Sequence, residues 1–245
     1  MKMQQTIISI IKSCLVGMLF CSVSFAQNDS IPSNNKLKDS IKQKEKYGLR
    51  VGGDASKLIR SFVDDDYKGF EINGDFRFTK KWYLAAEFGI EEKKTTTDYI
   101  AVTSSGTYIK LGADYNAYQN WYGMNNLLYG GFRVAASNFS QELNGYGVYS
   151  QNQYWAPQFT STESIDYSGL NAVWAEFIAG LKVEVLTNLF LGVNVQFKYI
   201  ITQSEPDNFE NLYIPGYNKT YDSGSFGFGY GYNISYLIPI FKKAK

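Results

Sequence analysis

The 245-residue chain contains no histidine, and its two cysteines, Cys14 and Cys21, both lie near the N-terminus. Histidine is the usual general base of hydrolases and a frequent zinc ligand. Its absence argues against a histidine-activated nucleophile and against histidine-ligated metals. After Cys21, disulfides, thiolate metal sites and a cysteine nucleophile are excluded as well. We therefore predict a protein that is not an enzyme and that uses no cofactor.

The sequence also lacks an internal apolar run long enough for a helical membrane span, and its mean hydropathy is −0.26. The one apolar stretch, residues 15–25, follows Lys2 and Lys12 and precedes a small-residue cleavage pattern that ends at Ala26. This arrangement is typical of a secretory signal peptide and is too short for a transmembrane helix. Loss of residues 1–26 removes two positive charges and changes the formal net charge from +1 to −1. Because no basic patch remains, we expect no nucleic-acid partner.

Residues 27–46 are polar and charged, and they show no hydrophobic periodicity. A segment of this composition cannot bury enough apolar surface to fold by itself. We predict a disordered linker on the periplasmic side, and we expect the ordered part of the chain to begin at Tyr47.

The clearest periodicity lies near the C-terminus, where residues 224–241 alternate large apolar residues with small or polar ones. Alternation with a period of two predicts a β-strand. Its large face would point to lipid, as in a membrane barrel, and its small face to the lumen. The lipid-facing residues are Phe226, Phe228, Tyr230, Tyr232, Ile234, Tyr236 and Ile238. We interpret this stretch as the closing strand of a barrel, with room beside Gly227, Gly229 and Gly231 for long side chains such as Arg50.

Seven further stretches show the same two-sided pattern of apolar and charged residues. They are predicted at 47–57, 67–78, 81–91, 106–116, 126–138, 170–185 and 189–201. The connections after the second, fourth and sixth of the eight strands are short, and the others are long. This asymmetry is typical of bacterial outer-membrane barrels. We predict an all-β fold over residues 47–241: an eight-stranded antiparallel up-and-down transmembrane β-barrel with short periplasmic turns and long external loops.

The predicted inner face carries nearly balanced charges. They are Arg50, Asp54, Glu71, Asp75, Arg77, Glu87, Lys110, Asp114, Arg133, Glu176, Lys182, Glu184 and Lys198. A soluble eight-stranded barrel turns apolar residues inward and could not accommodate this set. An eight-stranded barrel is just wide enough for side chains to fill it, so we interpret the set as an ion-paired plug in the lumen.

Two alternatives to this plug remain open. The charges could line a narrow gated channel or conduit for small solutes or apolar ligands. Alternatively, a carboxylate such as Glu71, Glu87 or Glu176, perturbed by its neighbours, could serve a lipid-modifying enzyme. The lack of histidine disfavours the enzyme.

Two predicted external loops carry further features. The acidic run 64–66 could bind calcium, but its spacing matches no calcium-binding loop, so we interpret it as a solvated loop. Residues 206–218 hold the apolar side chains of Phe209, Leu212, Tyr213, Ile214 and Pro215. So many apolar residues must pack or meet a partner, and we predict that they form a lid over the barrel mouth.

Three stretches resemble a known family. They are residues 47–54 with 68–77, residues 106–118 followed by 123–133, and residues 206–218. Together they resemble an uncharacterised family, a domain of unknown function, of small outer-membrane β-barrel proteins of Bacteroidetes. The resemblance covers essentially the whole chain after Tyr47. It implies an outer-membrane location and a barrel architecture, and it supplies no catalytic residues.

These observations together predict a structural or interaction role through the external loops. The expected partners are outer-membrane lipid and lipopolysaccharide, together with an unidentified protein. The aromatic end of the closing strand, residues 236–241, also looks like the signal read by the barrel-assembly machinery during biogenesis.

Overall fold

The computed structural model describes residues 44–118, 125–148, 159–207, 210–220 and 224–244. The predicted signal peptide, residues 27–43 of the predicted linker, and Phe209 lie outside the described residues. The first strand begins at Lys44, so residues 44–46 of the predicted linker belong to a strand.

Eight long strands and one helix account for most of the described chain. The long strands are β1 Lys44–Asp54, β2 Tyr67–Arg77, β3 Trp82–Thr96, β4 Ile100–Asn116, β5 Leu127–Val148, β7 Ile165–Leu186, β8 Leu189–Gln203 and β11 Phe226–Ala244. Three short strands are β6 Phe159–Ser161, β9 Tyr213–Ile214 and β10 Asn218–Lys219. The helix α1, Ala55–Val63, connects β1 to β2.

The eight long strands form one antiparallel sheet that closes on itself. Each long strand pairs with the next long strand in sequence, β4 pairs with β5, and β1 pairs with β11. The closing pair aligns Leu49 with Ile238 and Gly53 with Ile234. The predicted eight-stranded all-β antiparallel sheet is therefore confirmed, with a complete ring of hydrogen-bonded strands.

Side chains separate by chemistry across this ring. On β11 the seven large side chains from Phe226 to Ile238 point outward and are 49–70% exposed. The interior holds most of the buried charged residues, together with Trp174, Tyr108 and Phe190. The ring is apolar outside and holds most of its buried charges inside, which is the reverse of a water-soluble domain.

Several strands run further than their apolar pattern. β5 and β7 have 22 residues each. Residues 92–105, predicted as a loop, instead belong mainly to a β3–β4 hairpin that turns at residues 97–99. Much of the stretch 139–168 is likewise strand, not irregular as predicted. Beyond the apolar surface the outward-facing residues of these strands are mostly polar, so the apolar alternation disappears while pairing continues, as between Ser105 and Ser140.

The prediction of a strand through residue 57 is wrong, because β1 ends at Asp54. There the Asp54 carboxylate caps α1 by accepting a hydrogen bond from the Ser56 N–H at 2.8 Å. The apolar residues Leu58, Ile59, Phe62 and Val63 have helical spacing and lie on one side of α1. No helix of the described ranges combines the length and apolar character that crossing a membrane requires.

Candidate functional site

The interior of the ring collects charged side chains from most of the long strands. Of the thirteen residues predicted on the inner face, Arg50, Asp54, Glu71, Asp75, Lys110, Asp114, Arg133, Glu176, Lys182 and Lys198 are buried. The other three, Arg77, Glu87 and Glu184, are partly buried. Period-two geometry explains this placement, because alternate residues of a strand point to the same face.

One group of ion pairs lies near the short-turn end and centres on Asp75. Arg50 Nη2 lies 2.6 Å from Asp75 Oδ1, and Lys182 Nζ lies 2.6 Å from Asp75 Oδ2. The Arg50 guanidinium also lies over the rings of Tyr83 and Phe190, at 5.2 and 4.8 Å from their centroids. The two cations and the aromatic rings fill the interior at this level.

Two of the predicted residues stay outside this group. Arg77 donates to the Lys80 carbonyl at 3.0 Å and lies over the Tyr47 ring. Glu184 lies 3.7 Å from Lys46 Nζ. Both therefore act at the rim of the ring.

The middle of the interior is organised around Glu176. Lys110 Nζ lies 3.2 Å and Lys198 Nζ 3.6 Å from Glu176 Oε1. The Trp174 indole N–H donates to the same oxygen at 2.7 Å. Lys110 also lies 3.5 Å from Glu87, so it links two carboxylates. A buried carboxylate flanked by two lysines and an indole N–H is well compensated for lost hydration.

Arg133 extends the central network toward the short-turn end. Its Nη2 lies 2.7 Å from Asp114 Oδ1, and its Nε lies 3.4 Å from Glu87 Oε1. Glu87 is thereby shared between Arg133 and Lys110. Charges from β3, β4, β5, β7 and β8 thus meet in one cluster.

A third group near the long-loop end centres on Lys57, which α1 directs into the ring. Lys57 Nζ contacts Glu91 and the Tyr108 hydroxyl, and it lies 3.0 Å from Glu71 Oε2. Tyr108 donates to Glu71 at 2.6 Å, and Tyr67 donates to Glu91 at 3.1 Å. Burial alone would lower the pKa of Lys57, but the Glu91 and Glu71 carboxylates raise that pKa well above its usual range.

A short segment of the last long connection folds into the ring. We call residues 213–219, which contain β9 and β10, the inner hairpin. The Gly216 N–H and the Tyr213 hydroxyl both donate to Glu91 Oε2 at 2.8 Å. Lys198 Nζ donates to the Gly216 carbonyl at 2.7 Å. The inner hairpin is therefore hydrogen-bonded to the charged interior.

The inner hairpin also packs against an apolar cluster. Ile214 and Tyr217 are buried with Trp174, Tyr108 and Phe139. Tyr213, Ile214 and Pro215 of the predicted lid are all buried, and the segment reaches into the ring. The burial and the Glu91 charge raise the pKa of Tyr213, which keeps its hydroxyl a donor.

The sequence reading missed Lys57 and Glu91. Glu91 lies four residues after Glu87 on the same strand face, so the alternation of β3 could have predicted its inward position. Lys57 had no such signal, because its position depends on the helix. The expectation for Arg50 beside the β11 glycines is wrong: Tyr217 faces Gly227, while Gln196 and Lys198 face Gly229.

The acidic run 64–66 is held by basic neighbours. Asp64 Oδ2 lies 3.0 Å from Lys93 Nζ and 3.4 Å from Arg60 Nε. The hydrogen bond from Lys93 lowers the pKa of Asp64. In the portion of the chain that the structure describes, no cluster of three or more acidic side chains could hold a metal ion.

Comparison with known proteins gives two matches. A family model described as a domain of unknown function (DUF6048) matches residues 6–243. The fold is also similar to the crystal structure of Ail, the attachment invasion locus protein of Yersinia pestis, with 10% sequence identity and a TM-score of 0.38. The match covers 80% of this chain and 99% of that chain. At this level the likeness carries no argument about function. No curated protein matches.

Proposed function

We propose that this chain, which belongs to the DUF6048 family of unknown function, is an integral outer-membrane β-barrel protein without enzymatic activity. The predicted membership of an uncharacterised family is confirmed by the match. The outer-membrane and Bacteroidetes parts of the resemblance remain predictions. In this proposal the closed ring spans the membrane, and the long hairpins interact outside the cell.

One observation carries the proposal: the outer surface of the ring is a continuous apolar belt. Outward-facing side chains on every long strand of the belt are large and exposed, as with Phe132, Phe177 and Phe197. Soluble monomers rarely expose an apolar surface of this extent. Lipid provides the matching environment, and a transmembrane barrel presents a band about 25 Å tall.

The contents of the ring support a plugged barrel over a conduit. Arg50 and Lys182 converge on Asp75, and Lys110 and Lys198 converge on Glu176, so charges on separate strands are joined across the interior. The inner hairpin occupies the space above them. A solute would have to break buried ion pairs to pass, which costs several kcal/mol for each pair.

The polar ends of the long hairpins supply the proposed interaction surface. Outside the apolar belt the β3–β4 and β5–β7 hairpins continue with hydroxyl and amide side chains, such as the Asn144–Thr103 pair. These surfaces suit lipopolysaccharide sugars or an unidentified protein. The β11 end near Tyr236 is proposed to meet the barrel-assembly machinery during biogenesis.

The route to the membrane is part of the proposal. We propose that residues 1–26 are a cleaved signal peptide and that a linker follows them. Intact-mass measurement of the protein from the envelope tests this directly. A mature chain that retained residues 1–26 would contradict it.

Electrophoresis and bilayer recording test the main proposal. The purified protein should migrate differently before and after boiling, as stable barrels do, and should show no unitary currents in planar bilayers. Stable ion-selective currents would favour the conduit.

Partition of the native protein into the soluble fraction would overturn the membrane assignment. A lipid substrate that changed mass with the wild type, but not with Glu176→Gln, would favour the enzyme.

A further inference from the structure

The ring is closed, but its wall lacks a strand beyond the end of β1 at Asp54. β1 pairs with β2 only over Leu49–Gly53 and with β11 only as far as Asp54, opposite Asn233. β2 continues to Tyr67 and β11 to Phe226 beyond these points. Among the described residues, the far ends of β2 and β11 therefore have a strand partner on one side only. We call the interval between them the seam.

Helix α1 occupies the seam. The Gly69 N–H of β2 donates to Ser61 Oγ at 2.8 Å, and the Tyr232 N–H of β11 donates to Asp54 Oδ1 at 3.3 Å. The helix thus bonds to the edge of β2 through its Ser61 side chain and to the edge of β11 through its capping residue, Asp54. A single helix supplies far fewer hydrogen bonds than a strand, so the seam is the weakest part of the wall.

The two sides of α1 differ sharply. Lys57 and Ser61 point to the ring, whereas Phe62 is 87% and Val63 81% exposed on the other side. Such an amphipathic helix is suited to the interface between headgroups and acyl chains. The position of α1 relative to the apolar belt agrees with this. The exposed, outward-facing pair Lys68 and Glu92 marks the polar edge of the belt, and it lies beside Gly69, which bonds to the helix.

A cavity of about 160 Å³ lies behind the helix. It is lined by Lys57, Arg60 and Lys198, and it is bordered by Phe228 and Tyr230 of β11, whose side chains are exposed on the outer surface. It is large enough for a phosphate or carboxylate group.

The lining of the cavity favours an anion. Among the residues that the structure describes, the one carboxylate of the lining is Asp54, which already accepts from Ser56 and Tyr232. The carboxylates that pair with Lys57 and Lys198 do not line the cavity. The Arg60 guanidinium lies 4.0 Å from the centre of the Tyr67 ring, and this contact holds it in place. A guanidinium is a planar group that suits phosphate binding.

We propose that the seam is the side entrance to a binding site for an anionic amphiphile of the outer leaflet. Its phosphate or carboxylate headgroup occupies the cavity beside Arg60 and Lys198, and its acyl chains lie along Phe228, Tyr230 and the apolar side of α1. The proposal rests on the membrane assignment above, and it adds a ligand class and an entry route. No covalent change of the ligand is involved.

Native mass spectrometry of the purified full chain tests the site. Detergent-solubilised protein is mixed with phosphatidylglycerol or with phosphatidylcholine of identical acyl chains, and retention of each lipid is measured. We expect one phosphatidylglycerol molecule to be retained preferentially. In Arg60→Gln, retention should fall about tenfold, because one charged hydrogen-bonding partner is lost. Arg60 is partly exposed, so this variant should still fold.

Lys68→Gln is the matched control, since Lys68 is basic and at the same height but points outward. It should retain the lipid like the wild type. Equal retention of both lipids, or equal weakening in both variants, would overturn the site. Complete displacement of the lipid by millimolar inorganic phosphate would show a free-anion site and overturn the amphiphile. Failure to float with liposomes would instead overturn the membrane assignment.

Discussion

At the scale of single residues, Glu176 shows how the interior tolerates charge. It is fully buried, yet two lysines and an indole N–H surround it. Removing one partner of a buried ion pair leaves an uncompensated charge, which costs more than the pair contributed.

Replacing Glu176 with Ala should therefore be severe. It removes the carboxylate that Lys198 pairs with and leaves Lys110 with Glu87, and we expect the free energy of unfolding to fall by about 3–5 kcal/mol. Urea unfolding of the protein in lipid vesicles measures this. Glu92→Ala is the control, because Glu92 is an exposed glutamate on β3 and should change the unfolding free energy by less than about 1 kcal/mol. Equal losses in the two variants would contradict the prediction.

Asp64 provides a pH-dependent effect outside the membrane. The hydrogen bond from Lys93 lowers the pKa of Asp64 in the folded protein. The stabilisation is therefore present above the ordinary carboxylate pKa and is lost as the pH falls through the lowered value. The side chain is one-third exposed, so the effect is small.

Comparison with Asp64→Asn measures that effect. At neutral pH the wild type should be slightly more stable than the variant, and the difference should vanish in acid. Unfolding curves at a series of pH values follow it. A difference that grew as the pH fell would show that the sign is wrong.

At the scale of elements, the glycines of β11 set how closely the interior can pack. A Cβ placed on Gly229 would lie 2.7 Å from Gln196 Oε1 and 3.1 Å from Lys198 Cε. The glycine leaves room for the long inward side chains of the neighbouring strand β8. Small residues inside and large residues outside are thus a packing requirement on this strand.

Gly229→Leu should therefore impair folding. The added side chain has to displace Gln196 and Lys198 within a filled ring. We expect loss of the heat-modifiable band on gels after refolding. Gly224→Leu is the control, because nothing lies within 4 Å of a Cβ there. Normal heat modifiability of both variants would contradict the packing argument.

The inner hairpin depends on another glycine. Gly216 has φ +83°, and a Cβ there would lie 2.5 Å from the Tyr108 ring. Gly216→Ala should displace the hairpin and increase hydrogen exchange across residues 213–219. Gly169→Ala shares the positive φ but has open space around it, so it separates backbone strain from the clash. If both variants exchanged alike, the clash with Tyr108 would not be the cause.

At the scale of the whole molecule, the sequence predicts the strands of the ring better than the side chains and segments that fill its interior. Alternation marks every residue of the apolar belt, so the eight strands and their sidedness follow from local pattern. The polar hairpin ends carry no such pattern and were predicted as loops. The positions of Lys57 and the inner hairpin depend on contacts between distant segments, which a local pattern does not contain.

The short pairing of β1 with β2 has a mechanical consequence. It contains five residue pairs, Leu49–Gly53 with Ile72–Phe76, whereas β3 and β4 are paired over fifteen positions from Trp82 to Thr96. A force applied across the wall meets the fewest hydrogen bonds at this junction. We expect a pulled molecule to tear first between β1 and β2, leaving the other seven junctions of the ring intact at that load.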